Sequence, residues 1–534
     1  MFTQRGSVLC KNWCKHSQSI TVKNISSSQK YLATVATPKE TVSDIPPQWN
    51  EAKPYSEIPG SKSAFEAMRN FLPGGKYHNK SLRNVHRLMN REYGDLVNWK
   101  GVLGKPDFIL AFNPKDIEQV YRNEGPMPNR REFQIFSYYR KKLRPEIYGE
   151  YGGLFVEHDE KWKDLRGKVN PVMMQPRVVK QYIKSVENVS DEFITRMVRL
   201  RDSNQEMPAD FMDELNKWSL ESIGSIALDA RLGCLEDNVG VNSDSGRMIQ
   251  AVHDFFYLTF KLEILPSLWK YIPTPSFRKL TAALDVMTEI SSKKVDEAVE
   301  RIKNNPNPKS DSEASVLEKL LKIDKKIAVV MAMDMLLAGV DTTSNTTAIL
   351  LYFLAANQKC QEKLRSEILT ILPDKDSKLS SDSFKRIPYL RACMKEANRI
   401  IPILGGTIRK LPVNVVLSGY QVPKGTEIVV SHQTASMNEN QFPDSKKYKP
   451  ERWLNAEEAE GCPLAKNANP FAHMPFGFGP RSCVGKRFAD LEIETFVMKL
   501  FRNYKLEWNY DELKVASRLI TQPVSPLKFK LTEI

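Results

Sequence analysis

The chain lacks any regular cysteine spacing. Its seven cysteines stand at 10, 14, 234, 360, 393, 462 and 483, an odd count that argues against a disulfide framework and for a reducing compartment. Cys10 and Cys14 are close together, but no second pair follows to complete a zinc site. Cys234, Cys360 and Cys393 fall in helical or turn stretches and read as small core or surface thiols. Acid is missing from the N-terminus: the first forty residues hold six bases (Arg5, Lys11, Lys15, Lys23, Lys30 and Lys39) and no acid before Glu40. No apolar run there approaches the ~20 residues of a membrane span, which excludes an anchor in that segment. A basic stripe interleaved with aromatics is also absent, so nucleic acid is not indicated despite the net charge of +14.

What is present is ordinary globular composition, 41% hydrophobic and 27% charged, with no linker long enough to divide it. The expectation is a tail over residues 1–45 and one domain over 46–534, with two domains sharing an interface as the alternative. Basic, serine-rich and nearly acid-free, the tail has the composition of a mitochondrial transit peptide; a disordered basic tail is the other reading. The positive body suits an acidic partner or an anionic membrane surface.

Along the body, "DLVNWKGV" and "DFILAF" read as short strands. From Arg130 to about Lys303 the pattern is mostly helical, broken by prolines at 145, 171, 176, 208, 266, 273 and 275. "KNNPNPKSDSEAS" reads as an exposed loop. Residues 327–356 form the longest apolar helix, but Asp334, Asp341 and the polar "DTTSNTT" inside it argue for a buried central helix facing a cavity rather than a membrane span. "IPYLRACMKEANRIIP" is a helix bracketed by Pro388 and Pro402, and "VNVVLSGYQVPKGTEIVVS" a small hairpin or sheet. A helix follows Cys483, and the last residues alternate like edge strands. The class is mainly α with a minor antiparallel β part.

Chemistry concentrates in "FGFGPRSCVGKRF", Phe476 to Phe488. Gly477 and Gly479 permit a tight turn and close approach to a planar ligand, and Arg481 is placed to pair with an anionic substituent. Gly485 opens the next helix, whose free N–H groups favour a thiolate at Cys483. Haem with Cys483 as axial ligand fits. A dinucleotide fingerprint fails at Ser482, a catalytic thiol lacks a paired base, and zinc lacks companion ligands.

"FGFGPRSCVG" resembles, position by position, the cysteine loop of the cytochrome P450 family, and three further signatures occur in family order. "AGVDTT" resembles the oxygen groove of the central helix, "EANR" the Glu-x-x-Arg helix, and "PERW" the segment completing its triad. The resemblance runs from about Pro54 to the C-terminus and implies the P450 fold, haem b buried between the central helix and the cysteine loop, and monooxygenase activity. It also implies cofactor contacts from Phe476, Gly477, Gly479, Arg481, Gly485, Trp162, Arg166, Arg409, Ala338 and Gly339. Ala338 and Gly339 are small where a diatomic ligand fits over iron, and Asp341 with Thr342 would relay protons. Glu396, Arg399 and Arg452 form a structural brace, Glu396 and Arg399 sharing a helix face.

The basic tail, "KPYSEIPG" and "GKRFADLE" resemble mitochondrial members, which take electrons from a ferredoxin. Arg391 and Lys395 match the positions used for that protein, and Lys486 and Arg487 would lie on the same side. This implies an adrenodoxin-like 2Fe–2S ferredoxin fed by an NADPH ferredoxin reductase. It also implies a lipophilic small-molecule substrate, a place in the mitochondrion on the matrix side, and peripheral contact with the inner membrane. "NPFAHMPFGFGPR" and "FLPGGKYHNKSL" most resemble the insect mitochondrial group numbered twelve, linked to oxidation of foreign lipophilic compounds. A moulting-hormone (ecdysteroid) hydroxylase is the alternative. A haem-thiolate protein without external electrons is a third reading, opposed by the intact Asp-Thr pair.

Overall fold

The computed structural model describes residues 45–534 except 103–104, 132, 238–239, 241, 266, 306–309, 311–312 and 460. The expected transit peptide therefore lies outside the described residues, as does part of the "KNNPNPKSDSEAS" loop. Residues 50–534 form one compact unit.

The helices that place the site are α1 (Pro114–Arg122), α2 (Asp159–Met173), α3 (Ile183–Leu200), α4 (Phe211–Ala227), α5 (Asp244–Thr259), α6 (Pro275–Lys303), α7 (Lys325–Ala356), α8 (Pro388–Ile400) and α9 (Lys486–Asn503). Helix α7 starts where the Asp324 carboxylate accepts from the N–H groups of Lys326 and Ile327, at 2.6 and 3.2 Å. It is apolar on nearly every face, and α4, α5, α6, α8 and α9 all pack on it. Although long and apolar enough to cross a membrane, it is the buried core of the domain. Helices α6 and α8 both begin with proline at a position where a missing N–H costs nothing. Pro171 does not break α2 as expected; it sits in the last turn, two residues before the helix ends.

Strands β1 (Leu96–Trp99) and β2 (Phe108–Ala111) pair antiparallel as the sequence suggests. Strands β3 (Thr407–Lys410), β4 (Val415–Leu417), β5 (Tyr420–Val422) and β6 (Glu427–Val430) do not form one hairpin. Strands β4 and β5 pair with each other, while β3 and β6 pair antiparallel within a four-stranded sheet in the order β1-β2-β6-β3. There β2 and β6 run parallel, so the β part is not wholly antiparallel. C-terminal strands β7 (Tyr504–Glu507), β8 (Val515–Ser517), β9 (Thr521–Pro523) and β10 (Lys530–Glu533) form two small antiparallel pairs.

Candidate active site

Cys483 lies just before α9 and bonds its own N–H to the Phe476 carbonyl at 2.9 Å, which closes the loop. Its sulfur is enclosed by protein atoms yet keeps accessible surface, so it faces an internal cavity. Burial pushes the thiol pKa up; the backbone N–H groups of Gly485 and Lys486 and the charge of Arg166 pull against it without prevailing. The helix-end N–H groups thus favour the thiolate in the direction expected, but burial outweighs them.

Gly477 and Gly479 have φ of +69° and +70°, in the left-handed region glycine favours. A Cβ on Gly479 would meet Glu124 Oε1 at 2.2 Å, so the absence of a side chain admits that carboxylate. Gly485 caps α9, and a Cβ there would stand 4.0 Å from the Cys483 sulfur. The Phe476 ring lies under the Lys486 ammonium, 5.2 Å away.

Arg166 donates to the Ser482 carbonyl at 2.9 Å. Arg481 lies over the Trp162 ring at 4.2 Å and donates to the carbonyls of Pro128 and Glu157 at 2.6 and 2.9 Å. Burial, then Arg130, Arg409 and Arg166, bring its pKa down to about 9. Arg130, which sequence reasoning missed, is likewise lowered to about 10 by burial and by its cationic neighbours. Its Nε and that of Arg166 are buried without a hydrogen-bond partner. The carboxylates nearby are taken: Glu124 pairs with Arg409, and Asp334 with Arg140 at 2.6 Å. Arg409 is thus committed to Glu124, a pairing that no local pattern announces.

On α7, Ala338, Thr342 and Thr346 keep partial exposure among buried neighbours, one turn apart, and so line a cavity. The Thr342 hydroxyl donates to the Ala338 carbonyl at 2.5 Å, leaving its lone pairs to accept. Gly339 shares that partial exposure, and a Cβ there would meet Ile223 Cγ1 of α4 at 2.7 Å, so its smallness also serves helix packing. Ser219 of α4, another residue missed, donates to the carbonyls of Gly339 and Val340 at 3.0 Å. Asp341, the residue next to Thr342, is fully buried, with His253 Nε2 3.2 Å from its Oδ1.

The brace is assembled without solvent. Arg399 binds Glu396 through two nitrogens at 2.9 and 2.8 Å, and Arg452 reaches the same carboxylate at 2.9 Å. The Trp453 indole adds a fourth bond at 2.8 Å.

The sequence profile described as Cytochrome P450 matches residues 59–531. The chain belongs to the cytochrome P450 family. It is 44% identical to "Cytochrome P450 CYP12A2" of Musca domestica over 93% of this chain and 94% of that one. It is 40% identical to "Probable cytochrome P450 12a5, mitochondrial" of Drosophila melanogaster over 96% and 98%. With "Cytochrome P450 12b1, mitochondrial" of Drosophila acanthoptera it shares 41% over 89% of each chain.

A P450 monooxygenase carries haem on a cysteine thiolate, here Cys483. The residues fit that group. Four buried guanidiniums repel one another with too few free carboxylates between them, a setting that two carboxylate substituents would relieve. The sulfur opens onto a cavity.

On the surface beside the loop, Lys486, Arg487, Arg391 and Lys395 all act on one carboxylate, Asp490. The sequence-based expectation of a shared face is thereby given a centre. Arg391, however, binds Glu494 through two nitrogens, at 2.7 and 3.2 Å. Lys395 stands over the Trp453 ring at 5.7 Å.

Proposed function

We propose that this P450 is a mitochondrial enzyme on the matrix side, peripheral on the inner membrane. It takes electrons from an adrenodoxin-like 2Fe–2S ferredoxin fed by an NADPH ferredoxin reductase, and oxidises lipophilic small molecules of foreign origin. The carrying observation is the basic patch centred on Asp490, immediately after the sulfur ligand. A positive surface beside the cysteine loop suits a small acidic donor. The relatives named mitochondrial and the basic, acid-poor first forty residues support the compartment.

Bound haem supplies the chemistry by which O2, two electrons and two protons yield one inserted oxygen atom and one water. The chain's part is to hold and to supply. Cys483 anchors the group, and Arg166, Arg481 and Arg130 neutralise its acidic edge. Thr342 accepts a hydrogen bond at the cavity wall, while Asp341 stores a proton behind it. Residues 1–45 act as transit peptide, and 46–534 as the catalytic domain.

The deciding experiment reconstitutes the purified enzyme with either a mitochondrial-type ferredoxin system or a flavoprotein reductase. Reduction by the ferredoxin alone is expected. Reduction by the flavoprotein alone would overturn the reading. A fusion of residues 1–45 to a reporter should enter mitochondria; a cytosolic reporter would count against the compartment.

A further inference from the structure

His253 of α5 and Asp341 of α7 meet where α4, α5 and α7 converge. The imidazole Nε2 lies 3.2 Å from Asp341 Oδ1 and 3.0 Å from the amide nitrogen of Asn216 on α4. These neighbours make opposite demands on one nitrogen. The amide N–H needs a bare imidazole nitrogen to accept it; the carboxylate needs an N–H to receive. Asn216 is held in this orientation because its oxygen accepts from the Ser344 hydroxyl at 2.6 Å. Asp341 is poorly served otherwise. Its Oδ1 has no well-aligned hydrogen bond, and its Oδ2 has only Gln522 of β9 at 3.4 Å. A buried carboxylate oxygen left this way is an acceptor in waiting. His253, by contrast, keeps about a third of its side-chain surface accessible.

We propose that His253 is the outer proton carrier for Asp341, alternating between a neutral state that accepts from Asn216 and a charged state that donates to the carboxylate. The proposal rests on reading Asp341 as the relay acid. A solvent proton charges the imidazole. The Nε2 proton then passes to Asp341 Oδ1, leaving neutral imidazole and a carboxylic acid. The acid gives its proton towards the cavity and returns to carboxylate. One proton moves inward, and no electrons move.

The surroundings keep the charged state within reach. Burial opposes the charge, but Asp341, then Asp213 of α4 and Asp254 of α5, outweigh it and raise the imidazole pKa above its ordinary value. Asp254 is held by Lys279 of α6 at 2.7 Å, and Asp213 lies among Asp210, Glu214 and Lys217. From the β8–β9 turn, Arg518 stacks on Tyr257 of α5.

Two measurements test this. The first is a histidine carbon titration by NMR in the diamagnetic ferrous carbon monoxide form, the His253 signal being identified by its loss in His253→Gln. The expected result is a raised pKa in the native enzyme that falls in Asp341→Asn; a value indifferent to Asp341 would overturn the proposal. The second is peroxide released per NADPH, without added substrate, through the reductase system that supports the enzyme. Peroxide should rise in the native enzyme as pH climbs through the His253 pKa. In His253→Gln, which keeps both hydrogen-bonding roles but carries no proton, turnover should fall about tenfold and lose that pH dependence. A native pH profile in His253→Gln beside an impaired Asp341→Asn would sink the outer carrier alone. A native Asp341→Asn would sink the relay reading itself.

Discussion

Arg391 grips the Glu494 carboxylate with two nitrogens, so the arginine of the proposed docking face is already engaged within its own chain. Burial lifts the Glu494 pKa to about 7 against the pull of Arg391. Reversing Arg391 to Glu would therefore do two things: remove a surface charge and strand a buried carboxylate. Lys395, with no such pair, is the cleaner probe. Lys395→Glu should weaken ferredoxin binding by roughly tenfold at low salt and by less at high salt, because exposed charges act over a Debye length of ~8 Å. Arg391→Glu should weaken binding and lower the melting temperature as well. Reduction rate against ferredoxin concentration at two salt levels, with melting curves, separates them. An unchanged concentration dependence in Lys395→Glu would mean that the basic patch is a solvated face.

Glu396 receives Arg399, Arg452 and Trp453 with no water in reach. Removing it leaves two buried guanidiniums without their shared carboxylate. Breaking such a pair typically costs about 3–5 kcal/mol. Glu396→Ala is expected to express as unstable or haem-free protein, measured by the haem absorbance per protein and by resistance to proteolysis. A stable, haem-loaded Glu396→Ala would show that Arg399 and Arg452 find sufficient partners in the carbonyls of Ser436, Ser445 and Pro443.

The central helix, read as residues 327–356 and found at Lys325–Ala356, was legible because an apolar run with a polar patch is a local pattern. The brace was legible for the same reason, since Glu396 and Arg399 share one turn. Pairings between distant segments were not. Glu124 and Arg409 are separated by 285 residues, and nothing near either position announces the other. Strand β6 alternates like its neighbours in sequence, yet its partner β2 lies hundreds of residues earlier. Gly339 shows how one motif residue can serve twice: its smallness suits the oxygen groove that the resemblance implies, and only the fold reveals that it also admits Ile223 at a tight helix crossing.

Thr342 donates its hydroxyl proton to the Ala338 carbonyl, so its use in the cavity is as an acceptor that orients another donor. Thr342→Ser should keep that function, and Thr342→Val should lose it at nearly constant volume. The expected outcome for Thr342→Val is normal haem content and substrate binding with reducing equivalents diverted to peroxide. Peroxide per NADPH measures this. Native coupling in Thr342→Val would move the acceptor to another group on the cavity wall.

Cys483 is the only cysteine whose sulfur sits between the α9 end and a cavity, among the described residues. Cysteinate donates electron density to iron and shifts the ferrous carbon monoxide band far to the red of a histidine-ligated haem. The native protein should show the red-shifted band and Cys483→Ser should lose it. Retention of that band in Cys483→Ser would require a different axial ligand.

Glu492, nearly two turns into α9, is buried beside the hydroxyls of Ser222 and Thr343, and burial drives its pKa up to about 8. The folded protein therefore holds this proton to higher pH than the unfolded chain does. Stability is undiminished below the ordinary carboxylate pKa and falls as the pH rises from there to about 8, where the carboxylate must ionise in the core. Glu492→Gln removes the titration while keeping shape and hydrogen bonding. Its melting temperature should match the native protein below the ordinary carboxylate pKa and exceed it increasingly from there to about pH 8, the gap levelling off above. Thermal unfolding of both proteins across that range checks the sign. A gap that stays constant, or that narrows as pH rises, would show that Glu492 is already ionised in the fold, with a counter-charge supplied by its neighbours.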